Sequence, residues 1–229
     1  MALSNYTDLQ AAVRAEMSDV STSGLSATAI VDAITRTEAK INRRTRLREA
    51  EQLAYATYNA SDDTIESRRI AMPLGYVEML DLRWKKSSED DTAYTEAMYV
   101  HPTSIHSYYT SITDSRLYYT IRDQIEFNRQ TAGVDYELMM HYLKKWDIAS
   151  DSTNWLLTNY PDAYLYGACV EVAAFIKNPE EAAGYKVLFD EVLKELNELS
   201  KRGRDDSQLS TAEVSGMSGS SGGYDVLVG

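Results

Sequence analysis

The sequence predicts an α+β protein: a helical bundle formed by N- and C-terminal helices, a β-rich insertion between them, and a flexible C-terminal tail. Three observations carry this expectation. Up to Ala50 and again beyond Ser150, apolar residues recur every three to four positions, the period of a helix with one buried face. From Glu51 they alternate with polar residues, and β-branched and aromatic types dominate, as in strands. From Arg204 onward the chain is polar and rich in glycine and serine, with too little apolar surface to offset the entropy of ordering it. The expected divisions are the N-terminal helices (1–50), the insertion (51–150), the C-terminal helices of the same bundle (151–203) and the tail (204–229). A chain of 229 residues is long enough to bury a core without covalent staples.

Taken in order, Thr7 with Gln10 has capping-box spacing, and Leu9, Val13 and Met17 share one face, which predicts a helix from Thr7 to Ser18. After a Ser21–Gly24 loop, a longer helix from Ser26 carries Ile30, Ile34, Thr37 and Ile41 on one stripe and Arg36, Lys40, Arg43 and Arg44 on wetter faces. Strands are predicted at Gln52–Tyr58, Arg69–Met72, Val77–Trp84, Tyr94–Val100, Leu117–Ile121, Ile125–Asn128 and Val134–Trp146. Arg122-Asp123-Gln124 is a hairpin link, and a short helix is expected after Pro102 through Tyr108. Pro161 and Asp162 suit a first helical turn, and the apolar run Tyr164–Ile176 is expected to be the central helix, its Gly167, Ala168, Ala173 and Ala174 admitting a close neighbour. Asn178-Pro179-Glu180-Glu181 starts a last helix with Tyr185, Leu188, Phe189, Val192, Leu196 and Leu199 on its apolar face and Gly203 as its stop.

Composition narrows the function. A net charge of −12 argues against a surface built throughout to grip phosphates. The single cysteine, Cys169, permits no internal disulfide and no thiolate cluster, in keeping with a reducing cytoplasm. The stretch Ala163–Ile176 contains Glu171 and falls short of the roughly 20 residues that cross a bilayer, so no membrane association is expected. The opening residues lack the pattern of a secretory signal, and export is not expected. Seventeen tyrosines against three phenylalanines suit half-wet sheet faces and subunit interfaces.

Catalytic signals are sparse. His101 and His106 lack metal-ligand spacing, His141 sits in an alternating strand, and Cys169 lies in an apolar helix where a thiol stays protonated. Asp62-Asp63 and Glu89-Asp90-Asp91 do not follow the calcium-loop pattern, and neither a phosphate-cradling glycine loop nor a nucleophile elbow is found. No catalytic residue, metal or cofactor is therefore expected. Two segments remain. The basic run Lys40, Arg43, Arg44, Arg46 and Arg48 is either a helix end that complements its dipole and pairs with Glu49, Glu51 and other carboxylates, or a subunit or partner interface, or the contact surface of a DNA-binding regulator. Tyr224, Asp225, Val226, Leu227 and Val228 form a strand-like patch on a flexible tether, either an idle end or a segment that adds to the sheet edge of a partner.

The run Asn154-Trp155-Leu156-Leu157-Thr158-Asn159-Tyr160-Pro161-Asp162-Ala163-Tyr164-Leu165-Tyr166-Gly167-Ala168, continued by Glu171, Ala173-Ala174-Phe175 and Lys177-Asn178-Pro179, resembles the C-terminal helical signature of tailed-phage adaptor proteins, the head–tail connectors. Tyr6-Thr7-Asp8-Leu9-Gln10, Glu38-Ala39-Lys40-Ile41-Asn42-Arg43-Arg44, Arg46-Leu47-Arg48-Glu49, Met72-Pro73 and Tyr76-Val77-Glu78 before Leu80 to Arg83 resemble them in the same order. The chain departs from the pattern at Arg122-Asp123-Gln124, where a glycine-rich turn is expected, and in the hydrophilic loop Ser87–Thr92. The resemblance implies a subunit assembled in the host cytoplasm into a ring of twelve copies at the virion neck. Its partners are then the portal protein, neighbouring copies and a downstream tail protein, with double-stranded DNA passing through the lumen. An acidic lumen lets DNA slide where a basic one would hold it.

Overall fold

Alternation and helical periodicity partition the chain as their physics requires. The computed structural model describes residues 3–17, 25–59, 66–109, 116–128 and 134–216, with 202–216 as backbone. Among these it is a mixed α+β protein with six α-helices and two four-stranded sheets. The chain separates into two compact units, one of Met1–Arg48 with Ile148–Gly229 and one of Glu49–Asp147.

The helical unit begins with α1 (Tyr6–Glu16), whose cap is Asn5 rather than the expected Thr7. Asn5 accepts the Asp8 N–H at 3.0 Å and donates its side-chain amide to Asp8 Oδ2 at 3.0 Å, a reciprocal pairing at the same spacing as the Thr7–Gln10 box but two residues earlier. Eleven residues are too few for a stable isolated helix, so α1 depends on burying Leu9, Val13 and Met17. α2 (Ala27–Arg44) is capped by Ser26 and buries the expected stripe of Ile30, Ile34, Thr37 and Ile41. Two helices too short to show a helical period, α3 (Ile148–Asp151) and α4 (Trp155–Asn159), precede α5 (Pro161–Phe175). α5 packs against α1, α2, α4 and α6 (Pro179–Gly216), as its all-round apolar sequence predicts.

Two expectations for α6 need correction. The face it buries is Phe189, Leu193, Leu196 and Ser200, while Leu188 and Leu199 stand 40% and 38% exposed. The reason lies in α5, where Gly167 leaves the gap that Phe189 fills. The helix also continues past Gly203 to Gly216, into the segment expected to be a flexible tail. A lone interior glycine costs a helix only about 1 kcal/mol, and no proline follows it. The Tyr224–Val228 patch lies outside the described residues.

The β-rich unit holds β1 (Glu51–Tyr58), β2 (Arg69–Ile70), β3 (Tyr76–Lys86), β4 (Thr95–Glu96), β5 (Met98–Tyr99), β6 (Tyr118–Ile121), β7 (Ile125–Phe127) and β8 (Tyr136–Lys144). One sheet has the order β1-β8-β3-β4 and the other β2-β7-β6-β5, all pairs antiparallel except β5 with β6. As the alternation predicts, Tyr136, Leu138, Met140 and Tyr142 of β8 all point inward. Tyr136, Leu138 and Met140 meet Leu82, Trp84, Ile125 and Phe127 in one core, with Tyr58 4.4 Å from Phe127 and Trp84 4.9 Å from Tyr136 between ring centres. The single strand expected at Tyr94–Val100 is two short ones, because Ala97 N–H bonds Leu82 O while Met98 N–H bonds Leu117 O, so the segment passes from one sheet to the other.

The tightest point in the helical unit gives a direct test. A Cβ on Gly167 would lie 2.3 Å from Thr37 Cγ2 and 2.9 Å from Phe189 Cε2, whereas a Cβ on Gly184 would meet nothing within 4 Å. Gly167→Ala should therefore lower stability by about 1–3 kcal/mol through overpacking. Gly184→Ala should raise it by up to about 1 kcal/mol through helix propensity. Thermal denaturation followed by circular dichroism measures both, and equal Tm values for the two variants would contradict the crossing.

Candidate functional site

α2 ends where its carbonyls need partners. Thr45 turns its N–H and its hydroxyl onto Ile41 O, each at 2.9 Å, and α6 supplies the next donors. Asn197 Nδ2 reaches Arg44 O at 3.3 Å, and Ser200 Oγ reaches Arg46 O at 2.6 Å. The guanidinium of Arg46 folds back onto Asn42 O and Thr45 O, each at 3.0 Å. Lys40 pairs with Glu171 of α5, and Arg44 Nη1 with Asp190 Oδ1 of α6 at 2.6 Å. The carboxylates that Lys40 and Arg44 meet are those of α5 and α6, not the sequence neighbours Glu49 and Glu51, and Glu51 meets His141 Nε2 at 3.1 Å. Of the five basic residues, Arg43 and Arg48 alone are exposed with no side-chain bond to another described residue. That leaves little cationic surface here for a DNA backbone.

A second polar centre was not anticipated. The buried carboxylate of Glu38 accepts hydrogen bonds from Ile148 N–H and the Tyr164 hydroxyl, both at 2.8 Å, and Asn154 Nδ2 donates to that same hydroxyl at 2.9 Å. Burial, and then the adjacent Glu38 charge, push the Tyr164 phenol far above its ordinary value. Glu38, Asn154 and Tyr164 all fall in the runs that carry the adaptor resemblance, but nothing in their spacing announces that they meet.

In the β-rich unit, Glu126 is buried and accepts from Tyr109 at 2.5 Å and from Arg69 at 2.9–3.0 Å. Burial raises its carboxyl pKa, yet the bonds from Tyr109 and Arg69 outweigh that and hold it below the usual carboxylate range. Lys85 is equally enclosed, its ammonium 3.0 Å from each of Asp91 Oδ1, Glu137 Oε2 and Glu89 O. The bonds to Asp91 and then Glu137 lift its pKa, so it stays charged and makes a poor nucleophile or base. Above it, an open cleft of about 740 Å³ is lined by Tyr55, Thr57, Arg83, Tyr94 and Met139 among others. Another of about 670 Å³ opens between β3, the Glu96–Tyr99 segment and β6. Neither cleft brings a nucleophile to a base among the described residues. His101 Nδ1 lies 2.9 Å from Thr103 Oγ1, and the His106 ring meets the Tyr109 ring edge-on. Cys169 is buried, and burial, followed by the charges of Glu16 and Glu181, pushes its thiol up to about 12.

The model of the SU10 adaptor protein family matches residues 4–215, spanning both units. The chain belongs to that family. No curated protein matched it. As a phage head–tail adaptor it is a structural protein with portal or tail partners and a place at the virion neck. Among the described residues, no helix of the adaptor is long and apolar enough to cross a membrane.

Two outcomes follow from this geometry. Lys40→Ala strands Glu171, whose side chain is only 13% exposed, and should cost about 1 kcal/mol after allowance for the half-open lysine. Arg43→Ala and Arg48→Ala should stay within about 0.5 kcal/mol of the parent protein. Urea denaturation ranks the three, and a loss at Arg43 as large as that at Lys40 would contradict the pairing. The second outcome concerns alkali. The folded protein retains the Cys169 proton up to about 12, whereas an unfolded thiol releases it near about 8.5. The stabilisation is thus complete below the unfolded value and lost as the pH climbs toward the folded one, at up to about 1.4 kcal/mol per pH unit. Denaturation midpoints between about pH 8 and 10 should fall more steeply for the parent protein than for Cys169→Ala, and parallel slopes would refute the assignment.

Proposed function

We propose that this adaptor is a non-enzymatic neck subunit, twelve copies of which form a ring joining the portal to the tail while double-stranded DNA passes through without sequence-specific contact. The family match over residues 4–215 carries the proposal. The net charge of −12 supports it, since a negative lumen offers sliding DNA no counterion-releasing grip. In this reading the helices of 1–50 and 151–203 build one bundle, and 51–150 is an insertion nearer the tail machinery. The basic end at Lys40, Arg43, Arg44, Arg46 and Arg48 serves as a subunit or partner interface. Tyr224, Asp225, Val226, Leu227 and Val228 dock on the portal by adding a strand to a sheet edge, their Gly/Ser-rich tether supplying reach. No cofactor or metal enters this role.

Cryo-electron microscopy of the virion neck is the direct test. It should show this chain as a twelvefold ring between portal and tail, and purified virions without the chain would overturn the proposal. Deleting residues 224–229 should reduce attachment to purified portal without lowering the Tm. Unchanged attachment would remove the docking role of that segment.

A further inference from the structure

Among the described residues four strands stand at sheet edges, and they are not protected alike. β2, β4 and β5 have two residues each, too short to template a further strand. β1 has eight, and among the described strands it pairs with β8 alone. β3 breaks register with β8 twice, whereas β1 pairs with it from Glu51 to Tyr58 without interruption, so no bulge twists the free edge of β1 away. Lysine and proline, the usual guards of an open edge, are absent from this strand.

Alternation divides β1 into two faces. Ala54, Ala56 and Tyr58 pack on the core, whereas Leu53 and Tyr55 point outward and are 56% and 66% exposed. Apolar area thus lies beside open main-chain donors and acceptors. The charges on the same face are already matched within the sheet: Glu51 meets His141, Arg83 meets Asp81, and Lys85 meets Glu137 and Asp91. The run Gln52–Tyr58 itself carries no formal charge.

Charge selects what can lie against such an edge. A chain of net charge −12 repels its own copies over much of its surface, and β1 is a strand along which two copies can meet without opposing like charges. We propose that two copies of the free protein pair β1 edge to edge, antiparallel about a two-fold axis at Ala54, and so join their four-stranded sheets into one of eight. In that register Leu53 faces Tyr55 of the second copy and Tyr55 faces its Leu53, while Ala54 meets Ala54 and Glu51 meets the neutral Thr57. Each outward row then runs from Met139 through Tyr55 to Leu53 of the second copy, apolar against apolar. A two-fold contact closes on itself and cannot propagate round a ring. The pairing therefore describes the free protein and stands independently of the ring proposed above.

Sedimentation velocity of the full-length chain without portal tests the pairing, with Tm measured for every variant. The parent should pass from monomer to dimer between about 1 and 100 µM. Added salt should strengthen the dimer, because screening removes repulsion between the acidic surfaces and leaves the apolar pairs. Leu53→Lys with Tyr55→Lys sets lysines face to face twice over and should weaken the dimer about tenfold or more. Leu53→Lys with Tyr55→Glu sets lysine against glutamate, whereas a register shifted to centre on either residue would oppose identical charges; this variant should retain the dimer. Tyr55→Ser, a milder change, covers any loss of folding and should weaken the dimer about threefold. A parent that stays monomeric, a dimer undiminished in the double lysine variant, or equal loss in the lysine–glutamate variant would overturn the proposal. A monomeric parent whose attachment to purified portal is lost in the double lysine variant would assign the edge to the portal instead.

Discussion

A carboxylate sealed from water must be met by donors or the fold loses several kcal/mol, and Glu38 is such a carboxylate. Its partners, Ile148 N–H and the Tyr164 hydroxyl, lie 110 and 126 positions further along the chain. The helical unit therefore closes correctly only when the segment before the β-rich unit and the segment after it arrive together. Asn154 extends the constraint, because its side chain caps α4 through Leu157 N–H and holds the Tyr164 hydroxyl at the same time. One charge thereby fixes the end of the β-rich excursion, the start of α3 and the rotation of α5.

Packing then works to a tolerance that Glu38 sets. With α5 pinned by Tyr164, the missing side chain at Gly167 faces Thr37 and Phe189, and the three helices approach as closely as van der Waals contact permits. The ion pairs from Lys40 to Glu171 and from Arg44 to Asp190 lie along the same two contacts of α2 with α5 and α6. Polar pairs give register where apolar stripes alone would let helices slide. The apolar stripe of α6 illustrates the need, since its sequence offers Leu188 and Leu199 as readily as Leu193 and Leu196.

Much of the architecture was legible because burial and periodicity are local properties. The stripe of α2, the cap and proline that start α6, and the inward row of β8 follow from side-chain spacing alone. What was not legible depended on partners distant in sequence. Nothing around Lys40 or Arg44 names Glu171 or Asp190 as their carboxylates, and the nearer Glu49 and Glu51 are the natural guess. The passage of Thr95–Tyr99 from one sheet to the other was hidden for the same reason, since either half alone reads as ordinary strand. α3 and α4 were missed because their few residues are too short to show a helical period. The cleft beside β3 has no linear signature at all, because its walls come from three separated strands and from bulges that a residue pattern does not reveal.

The antiparallel pairing of β1 with β8 places Glu51 opposite Leu143, the first residue of one strand beside the penultimate residue of the other. The β-rich unit thus gathers its own two ends. In folding terms, once that sheet exists, the contact between Glu38 and Tyr164 no longer closes a loop of 126 positions but one roughly fourfold shorter, which spares about two doublings of loop length at about 0.6 kcal/mol each. The saving is mutual: the sheet acts as a clasp for the helices on either side of it, and their contact in turn shortens the loop that β1 and β8 close.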